Sequence, residues 1–375
     1  MLSKTNLKNR LRIILSKLHS PQYIFSSDYV IKYGRRWHRV YAETQAIRPA
    51  PRYFGRIQID LSKKLDRAFP EMGVLELDSA LVHCKTGWVF DENRNFLPDF
   101  SWFGKHIEEI ANVPWIFVRG KKLSGTVVSL ASDFSVGSYG HFFYDVVSRL
   151  HLFYEAGFTL DDVDHILCPK PTKGHAEFLF SQLGLPEEKL VWIDDERLIR
   201  TQKLLAISFP GTRRNYPAWV SKFIQQSFLG DAKRPQKRRL FITRKGYRRN
   251  PSNLDEVEGL LTRYEFEVYD PVQSLNAHLD FHEAEVVVGG SGSNLTGLIF
   301  CQPNTKVLEL ISDDHVYPYY YSICDSAGLD FSCLTCKSVD FRGNDVWGPS
   351  QSDYYVDLEE LEHALKLVIG QKSEN

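Results

Sequence analysis

The chain has 375 residues, a formal net charge of −1 and an aromatic content of 13%. A chain of this length can form two domains, each with its own hydrophobic core, and its aromatic content excludes a disordered or fibrous protein. Because the net charge is close to zero, no overall positive field attracts nucleic acid, and nucleic acid is not an expected partner.

The predicted elements begin with a basic amphipathic segment at residues 4–18, KTNLKNRLRIILSKL. Its apolar side chains recur at helical spacing and its lysines and arginines lie on the other faces, which suits peripheral contact with an anionic membrane surface. Packing against the protein body or against a partner explains the pattern equally well. No stretch approaches the roughly 20 apolar residues of a membrane span, and no signal-peptide core follows Met1. We therefore expect a cytoplasmic protein, with peripheral contact to the inner membrane face as one option.

An α/β lobe is expected at residues 73–235, after an N-terminal extension at residues 1–72. Apolar, β-branched runs predict its strands at residues 74–84, 87–91, 125–131, 164–170, 189–194 and 203–210. Helical spacing predicts helices at residues 139–157 and 175–185. The charged, proline-containing segment 229–239 is typical of a linker, and it predicts that a second lobe occupies residues 236–375.

Two ionisable residues, His141 and Asp145, lie near the start of the first of these helices. Their i, i+4 spacing places both on one face, and Arg149 continues the stripe. Ionisable groups on an otherwise apolar helix are costly unless they are paired or face a wet cleft. A histidine held in one tautomer by a carboxylate is typical of a general base. The alternative is a structural ion pair at a domain edge, and either His141 or Asp145 can be the base.

In the second lobe, apolar strands alternate with helices. Strands are predicted at residues 238–245, 266–270, 285–290, 305–311 and 331–334, with helices at residues 254–266, 274–284, 294–302 and 318–327. This alternation predicts a parallel sheet covered by helices on both faces. In such sheets ligands bind outside the carboxyl ends of the strands, so residues at those ends are candidates for a site.

The glycine turn GGSGSNLTG, residues 289–297, connects a buried strand to a helix. Ser293 or Asn294 can cap the free backbone N–H groups at the start of that helix. The helix N-terminus also carries a partial positive charge, so an anion such as phosphate is stabilised there without a lysine. The alternative is a plain strand-to-helix connection, whose small residues allow close packing.

Two further features lie at or near strand ends in this lobe. The cluster TRKGYRRN contains Arg244 and Arg249, whose guanidinium groups match phosphate oxygens in bidentate fashion; a solvated loop is the alternative. Glu309 lies inside an apolar strand and needs a partner, for which a ribose diol or a salt bridge to one of the arginines is suitable.

The six cysteines do not have the density of a disulfide scaffold, so a reducing compartment is expected. Cys333 and Cys336 have the spacing of a metal or redox pair, but no second pair completes a zinc site in the sequence. On a strand, this spacing directs the two side chains to opposite faces. We expect both to be buried as small apolar residues, and we expect no metal site.

The chain resembles glycosyltransferase family 61, which includes bacterial capsular-polysaccharide enzymes and eukaryotic xylosyl- and N-acetylglucosaminyltransferases. The resemblance runs from about Gly73 to Leu334 and rests on four motifs that occur in the family's order. They are GHFFYDVVSRL around His141, ITRKGYRRNPSN around Arg244, EAEVVVGGSGSNLTGLIF at the glycine turn, and TKVLEL around Glu309.

The resemblance implies a GT-B-like α/β architecture, in which two Rossmann-like lobes face each other across a cleft and the C-terminal lobe holds a nucleotide-sugar donor. It also implies transfer to a glycan or lipid-linked glycan acceptor, with inversion at the anomeric carbon and without an essential metal or other cofactor. Synthesis of a capsular or other surface polysaccharide is the implied role.

The family's mechanism assigns roles to the candidate residues. A single displacement needs a base for the acceptor hydroxyl and positive charge for the departing diphosphate. His141 or Asp145 is then the base, and Glu309 binds the ribose. The diphosphate is bound by Arg244, Arg249, Gly290, Ser291, Gly292, Ser293 and Asn294.

Two positions differ from the family pattern. Ser291 precedes the central glycine of the turn, where such enzymes commonly have histidine, and Gly297 stands where they often have asparagine. These differences keep open a non-catalytic nucleotide- or glycan-binding protein on the same fold. An NAD-dependent dehydrogenase is the least favoured alternative, because GGSGSN is not the GxGxxG fingerprint and does not follow the first strand of its lobe.

Overall fold

A computed structural model describes residues 22–102, 120–195, 198–230, 234–339 and 352–370. The amphipathic segment predicted at residues 4–18 lies outside the described residues. The strands, in chain order, are β1 (Trp37–Tyr41), β2 (Thr44–Gln45), β3 (Arg52–Phe54), β4 (Ala68–Phe69), β5 (Met72–His83), β6 (Trp88–Phe90), β7 (Phe96–Leu97), β8 (Lys121–Ser129), β9 (His165–Cys168), β10 (Leu190–Trp192), β11 (Leu198–Ile207), β12 (Arg238–Ile242), β13 (Glu267–Tyr269), β14 (Ala284–Gly290), β15 (Lys306–Ser312), β16 (Asp330–Ser338) and β17 (Tyr354–Tyr355).

The α-helices are numbered in the same way. They are α1 (Ser26–Tyr33), α2 (Tyr139–His141), α3 (Arg149–Glu155), α4 (His175–Gln182), α5 (Ala218–Leu229), α6 (Leu254–Arg263), α7 (Ala277–His282), α8 (Tyr319–Ala327) and α9 (Leu358–Ile369). A π-helix spans Phe142–Val147 and a 3₁₀-helix spans Ser293–Phe300.

The chain divides into two compact units. Unit 1 takes its described residues from the ranges 1–44, 70–171 and 184–213, and unit 2 from the ranges 45–69, 172–183 and 214–375. The predicted domain boundaries stay predictions. The boundaries of the two compact units differ from them, since residues 45–69 and 214–235 belong to unit 2.

Unit 1 contains a mixed sheet with the strand order β10-β9-β8-β11-β5-β6-β7, and β1 also pairs with β5. Strands β10, β9, β8 and β11 are parallel, whereas β5, β6, β7 and β1 are antiparallel to their neighbours. The antiparallel half arises because short turns, without a helix, connect β5, β6 and β7. The α/β class expected for this lobe is confirmed, with only half of its sheet parallel.

Unit 2 contains a sheet with the strand order β13-β12-β14-β15-β16-β17, and β3 also pairs with β16. The pairs are parallel except that of β16 with β17, which is antiparallel. Helices α6 and α9 pack over one face, where they contact Val286 and Val288 of β14. Val287 is equally buried and points to the opposite face, because successive strand residues alternate. A strand buried on both faces is typical of a parallel sheet covered by helices, as the sequence predicts.

Helix α4 was expected in the first lobe, yet it belongs to unit 2. His175 at its start is buried, and its Nε2 lies 2.9 Å from Nδ1 of His278 and also accepts the backbone N–H of His278. Burial lowers the pKa of each imidazole to about 4, so both are neutral at physiological pH. This buried pair anchors α4 to α7.

Two predicted helices differ in type from the expected α-helix. The helix predicted at residues 139–157 is interrupted by the π-helix Phe142–Val147. The helix after the glycine turn is the 3₁₀-helix Ser293–Phe300, and within it a Cβ atom on Gly297 would overlap the ring of Phe281. Close packing of this ring explains why the chain has glycine at 297.

Candidate functional site

The first group of predicted site residues lies in unit 1. Nδ1 of His141 lies 2.6 Å from Oδ2 of Asp145, whose side chain is 0% exposed, whereas that of His141 is 20% exposed. Because a carboxylate accepts, Nδ1–H donates, so in the neutral imidazole the lone pair is on Nε2. Of the two residues, only the imidazole retains a surface that a ligand can contact.

Arg149, which the sequence places on the same stripe, is fully buried and has a structural role. Its guanidinium donates to the backbone carbonyl oxygens of Asp145 (2.7 Å), Ala131 (2.6 Å) and Ile207 (3.3 Å). It therefore ties the helical segment to the carboxyl ends of β8 and β11. Burial lowers its pKa to about 10, and the nearby charge of Asp145 opposes that shift.

Sequence reasoning missed the residues around His141. Asp133 is buried, which raises its pKa to about 7, and it accepts from Nε1 of Trp88 at 2.8 Å and from the backbone N–H of Trp102 at 3.0 Å. The rings of Trp102 and Phe134 lie 6.0 Å and 5.4 Å from the imidazole of His141, centroid to centroid. The position of Asp133 and Phe134 just after a strand end was the available signal.

The second group lies in unit 2, where the glycine turn packs against Arg244. This side chain is 6% exposed, and its Nε donates to the backbone oxygen of Arg248 at 3.0 Å. A Cβ atom on Gly292 would overlap the guanidinium, so only glycine lets the arginine lie on the turn. Asn294 does not cap the helix, because its Nδ2 donates to the carbonyl of Thr243 at 3.0 Å and so locks the turn to the end of β12.

Glu309 is 0% exposed, and its Oε1 accepts a hydrogen bond from Oγ of Ser291. Within the described ranges its Oε2 has no hydrogen-bond partner. Burial raises the pKa of Glu309 to about 8, against the opposing effects of Ser291 and the charge of Arg249, so the carboxyl is mostly neutral at pH 7. The structure thus shows Glu309 fixing Ser291, and its predicted contact with a ribose stays a prediction.

Arg249 has a left-handed backbone, with φ at 63°, and its Nη1 donates to Nε2 of His315 at 2.8 Å. Burial, followed by the charge of Arg244, lowers the pKa of Arg249. His315 was missed by the sequence reading, since it follows β15 in a polar loop with no recognisable pattern. The fold brings it to Arg249 from 66 residues away.

Two buried tyrosines complete this group and were also missed. The hydroxyl of Tyr320 donates to the backbone oxygen of Gly292. The hydroxyl of Tyr354 occupies the space next to Gly290, and it has no hydrogen-bond partner among the described residues. Free donors and buried guanidinium groups form a receptor for an anion when no ionised carboxylate lies beside them, which holds here for the residues with described positions.

The predicted site residues of unit 2 are therefore brought together around Arg244 and the glycine turn, although Ser293 is exposed. His141 and Asp145 form a separate pair in unit 1. Among the residues with described positions, no three His, Cys, Asp or Glu side chains are grouped as a metal site would require. No helix in the described ranges combines the length and the apolar character of a membrane span.

Comparison with known proteins gives two matches. Residues 139–308 match the family described as Glycosyltransferase 61, a range that begins two residues before His141 and ends one residue before Glu309. Beta-1,2-xylosyltransferase RCN11 of Oryza sativa subsp. japonica is 30% identical over 128 residues, which cover 28% of this chain and 24% of that relative. The chain thus spans about a quarter of the length of the curated relative it matches. The candidate base and the arginine-bound glycine turn both lie inside the matched range, so the part of the chain that carries them is similar to glycosyltransferase family 61.

Proposed function

We propose that this chain is an inverting glycosyltransferase that uses a nucleotide-sugar donor and no essential metal. The observation that carries the proposal is the guanidinium of Arg244 seated on Gly292 at the carboxyl end of a parallel sheet, with Arg249 nearby. Positive charge at this position stabilises a departing diphosphate, as a divalent ion does in other enzymes. The match of residues 139–308 to the family, and a relative named as a xylosyltransferase, support the same reaction class.

The proposed reaction is a single displacement. Nε2 of His141 accepts the proton of the acceptor hydroxyl while Asp145 holds the imidazole in the required tautomer. The acceptor oxygen bonds to the anomeric carbon from the face opposite the leaving group, and the bond from that carbon to the diphosphate oxygen breaks. The diphosphate leaves with the electron pair.

The donor is bound by the unit 2 residues. The diphosphate contacts Arg244, Arg249, Gly290, Ser291, Gly292, Ser293 and Asn294. Glu309 belongs to the same site because it fixes Ser291, and its Oε2 is the oxygen that a ribose hydroxyl would meet.

We propose three further properties of this chain. They are a GT-B-like arrangement of the two units, a glycan or lipid-linked glycan acceptor, and a role in capsular or other surface polysaccharide synthesis. We also propose a cytoplasmic location with peripheral membrane contact through residues 4–18. Flotation of the full chain with anionic and with neutral vesicles tests that contact, which requires the protein to float with anionic vesicles only.

A ligand screen followed by a turnover assay tests the proposed function. Thermal shift with the diphosphates of uridine, guanosine and cytidine, each with and without a chelator, should show stabilisation by one of them in both conditions. Mass spectrometry should then detect sugar release or transfer from the matching donor. Binding without turnover in the presence of candidate acceptors would instead support a non-catalytic nucleotide-binding protein, and a preference for NAD would contradict both.

A further inference from the structure

His315 is a buried ionisable group beside Arg249 in unit 2, and no role has yet been assigned to it. Since Arg249 can only donate, Nε2 of His315 is the acceptor in their 2.8 Å hydrogen bond. The imidazole is therefore neutral and carries its proton on Nδ1. This Nδ1 and Nε of Arg249 are both buried, and neither has a hydrogen-bond partner in the part of the chain that the structure describes. Buried donors without acceptors on two side chains that are hydrogen-bonded to each other indicate that an acceptor is absent here.

The largest charge effects on His315 come from four cationic residues in three parts of unit 2. Burial, and then Arg249, Arg214, Arg244 and Lys64, lower the pKa of His315 to about 3.

The immediate neighbours do not compensate this charge. Tyr317 packs against the imidazole with ring centroids 4.6 Å apart, and it also receives the guanidinium of Arg214 at 4.6 Å. Lys64 donates from Nζ to the carbonyl of Val316 at 2.7 Å. The adjacent carboxylate, Asp314, accepts a hydrogen bond from Oγ of Ser312 at 2.6 Å. The loop after β15 is thus surrounded by cations.

We infer that His315 is a further ligand of the donor diphosphate and takes up a proton when the diphosphate binds. This inference rests on the proposed function, and it assigns to the same site a residue that lies outside the matched range of residues 139–308. It needs no unusual geometry, because Nδ1 and the neighbouring arginine Nε already present their hydrogens without acceptors.

The proton change follows from the electrostatics of the loop. In the free protein the surrounding cations oppose a charge on the imidazole, and a bound diphosphate, which is negative, reverses that effect. A solvent proton adds to Nε2, the hydrogen bond from Arg249 is released, and both side chains then donate to phosphate oxygens. Loss of the diphosphate returns the proton to solvent.

Isothermal titration calorimetry tests this inference with uridine, guanosine and cytidine diphosphates on the full chain. Titrations at about pH 6 in MES and in Bis-Tris, which differ in ionisation enthalpy, give the number of protons taken up. The variants are His315→Ala, which removes both nitrogens, and His315→Asn, which keeps a donor near Nδ1 but cannot gain a proton. His363→Ala, which removes an exposed histidine of α9, is the matched control.

We expect H315A to weaken binding of the preferred diphosphate by about tenfold, as loss of a hydrogen bond to a charged group would. H315N should weaken it less and should take up roughly 0.7 proton fewer than the wild type, because a histidine of ordinary pKa is mostly protonated at that pH. Subtracting the two uptakes removes protons that the nucleotide itself exchanges. H363A should match the wild type in both measurements.

The outcomes separate this inference from the proposed function. Wild-type affinity and wild-type proton uptake in both variants would overturn the role of His315 while leaving the donor site in place. Failure of all three diphosphates to bind the wild type would overturn the proposed function and this inference together. If H315A does not fold, the comparison of the wild type with H315N decides, since a merely structural histidine would not change proton uptake.

Discussion

In unit 1, the buried guanidinium of Arg149 has three backbone carbonyl groups and the nearby carboxylate of Asp145 around it. In unit 2, Arg244 and Arg249 have no ionised carboxylate as a partner among the residues that the structure describes. Glu309, which belongs to the same site, is mostly neutral because burial raises the pKa of its carboxyl. Both units therefore bury arginines at the carboxyl ends of strands, but within the described residues the compensation by a carboxylate seen at Arg149 has no counterpart at Arg244 and Arg249.

This difference teaches what each set of residues is suited to do. A compensated set holds its geometry without a ligand, and in unit 1 it includes the partly exposed imidazole of His141, whose orientation is fixed by Asp145. An uncompensated set is costly to bury, because charged groups lose hydration, and it gains most when an anion binds. The first arrangement suits a general base and the second suits a receptor for a diphosphate.

The largest expected effect is on turnover when the base is removed from unit 1. His141→Ala should lower turnover by about 10²–10⁴-fold, because general base catalysis contributes that much. Asp145→Asn should act in the same direction, since the wrong tautomer is then favoured. Mass spectrometry of the transferred sugar measures the effect.

The same two variants test whether unit 1 supplies the base and unit 2 binds the diphosphate. Calorimetry with the preferred nucleoside diphosphate should give wild-type affinity for both, because neither removes a cation from unit 2. Full activity in both variants would refute the proposed roles of His141 and Asp145 in catalysis. A large loss of diphosphate affinity would show that diphosphate binding does not depend on unit 2 alone.

Arg249→Ala should give the largest effect on binding. Loss of one charge-assisted contact and of its charge should weaken the nucleoside diphosphate by about a hundredfold. Arg263→Ala, an exposed arginine at the end of α6, is the matched control and should bind normally. Near-normal affinity and turnover in R249A would remove that arginine from the site, and circular dichroism establishes that the variant is folded.

Gly292→Ala should affect binding less, by about tenfold, because a methyl group displaces the guanidinium of Arg244 without removing it. The φ angle of Gly292 is 167°, an extended conformation that alanine also adopts, so backbone strain does not contribute. Gly259→Ala in α6, where a Cβ atom meets nothing within 4 Å, should bind normally. If both alanine variants bound the diphosphate equally well, the packing of Arg244 against Gly292 would not contribute to diphosphate binding.

The smallest expected effect concerns the neutral state of Glu309. The wild type should bind the diphosphate about three- to tenfold more weakly once pH rises above 8, because the carboxylate then repels the anion and competes for Arg249. Glu309→Gln should bind like the wild type at pH 7 and should keep that affinity at higher pH. Calorimetry across this pH range measures the difference.

A second measurement on Glu309→Gln follows from linkage. Between pH 4.5 and about 8 the folded protein holds a proton on Glu309 that the unfolded chain has released, so this residue makes stability fall as pH rises through that window. The Tm of E309Q should therefore decline less over the window than that of the wild type. Parallel declines would show that Glu309 is already ionised in the folded protein.

Much of unit 2 could be predicted from the sequence because its signals are local. Apolar strands alternating with helices indicate a parallel sheet, and the structure has those strands in that order. The glycine turn and Arg244 were predicted together because both stand at strand ends, which meet at one edge of a parallel sheet. In unit 1, the i, i+4 spacing of His141 and Asp145 survives in the structure as a hydrogen bond, even though a π-helix replaces the expected α-helix.

The sequence by itself thus determined the α/β class, the glycine turn and the His–Asp pair, since periodicity and short spacing specify them. Only the tertiary structure brought His315 next to Arg249 and Tyr354 next to Gly290. Segments far apart in sequence meet in this way only when the strands of the sheet align. The tertiary structure also decided the charge of Glu309, since burial, which no pattern of neighbouring residues encodes, raises the pKa of its carboxyl. Local geometry can be inferred from the order of residues, whereas desolvation and charge balance depend on the completed fold.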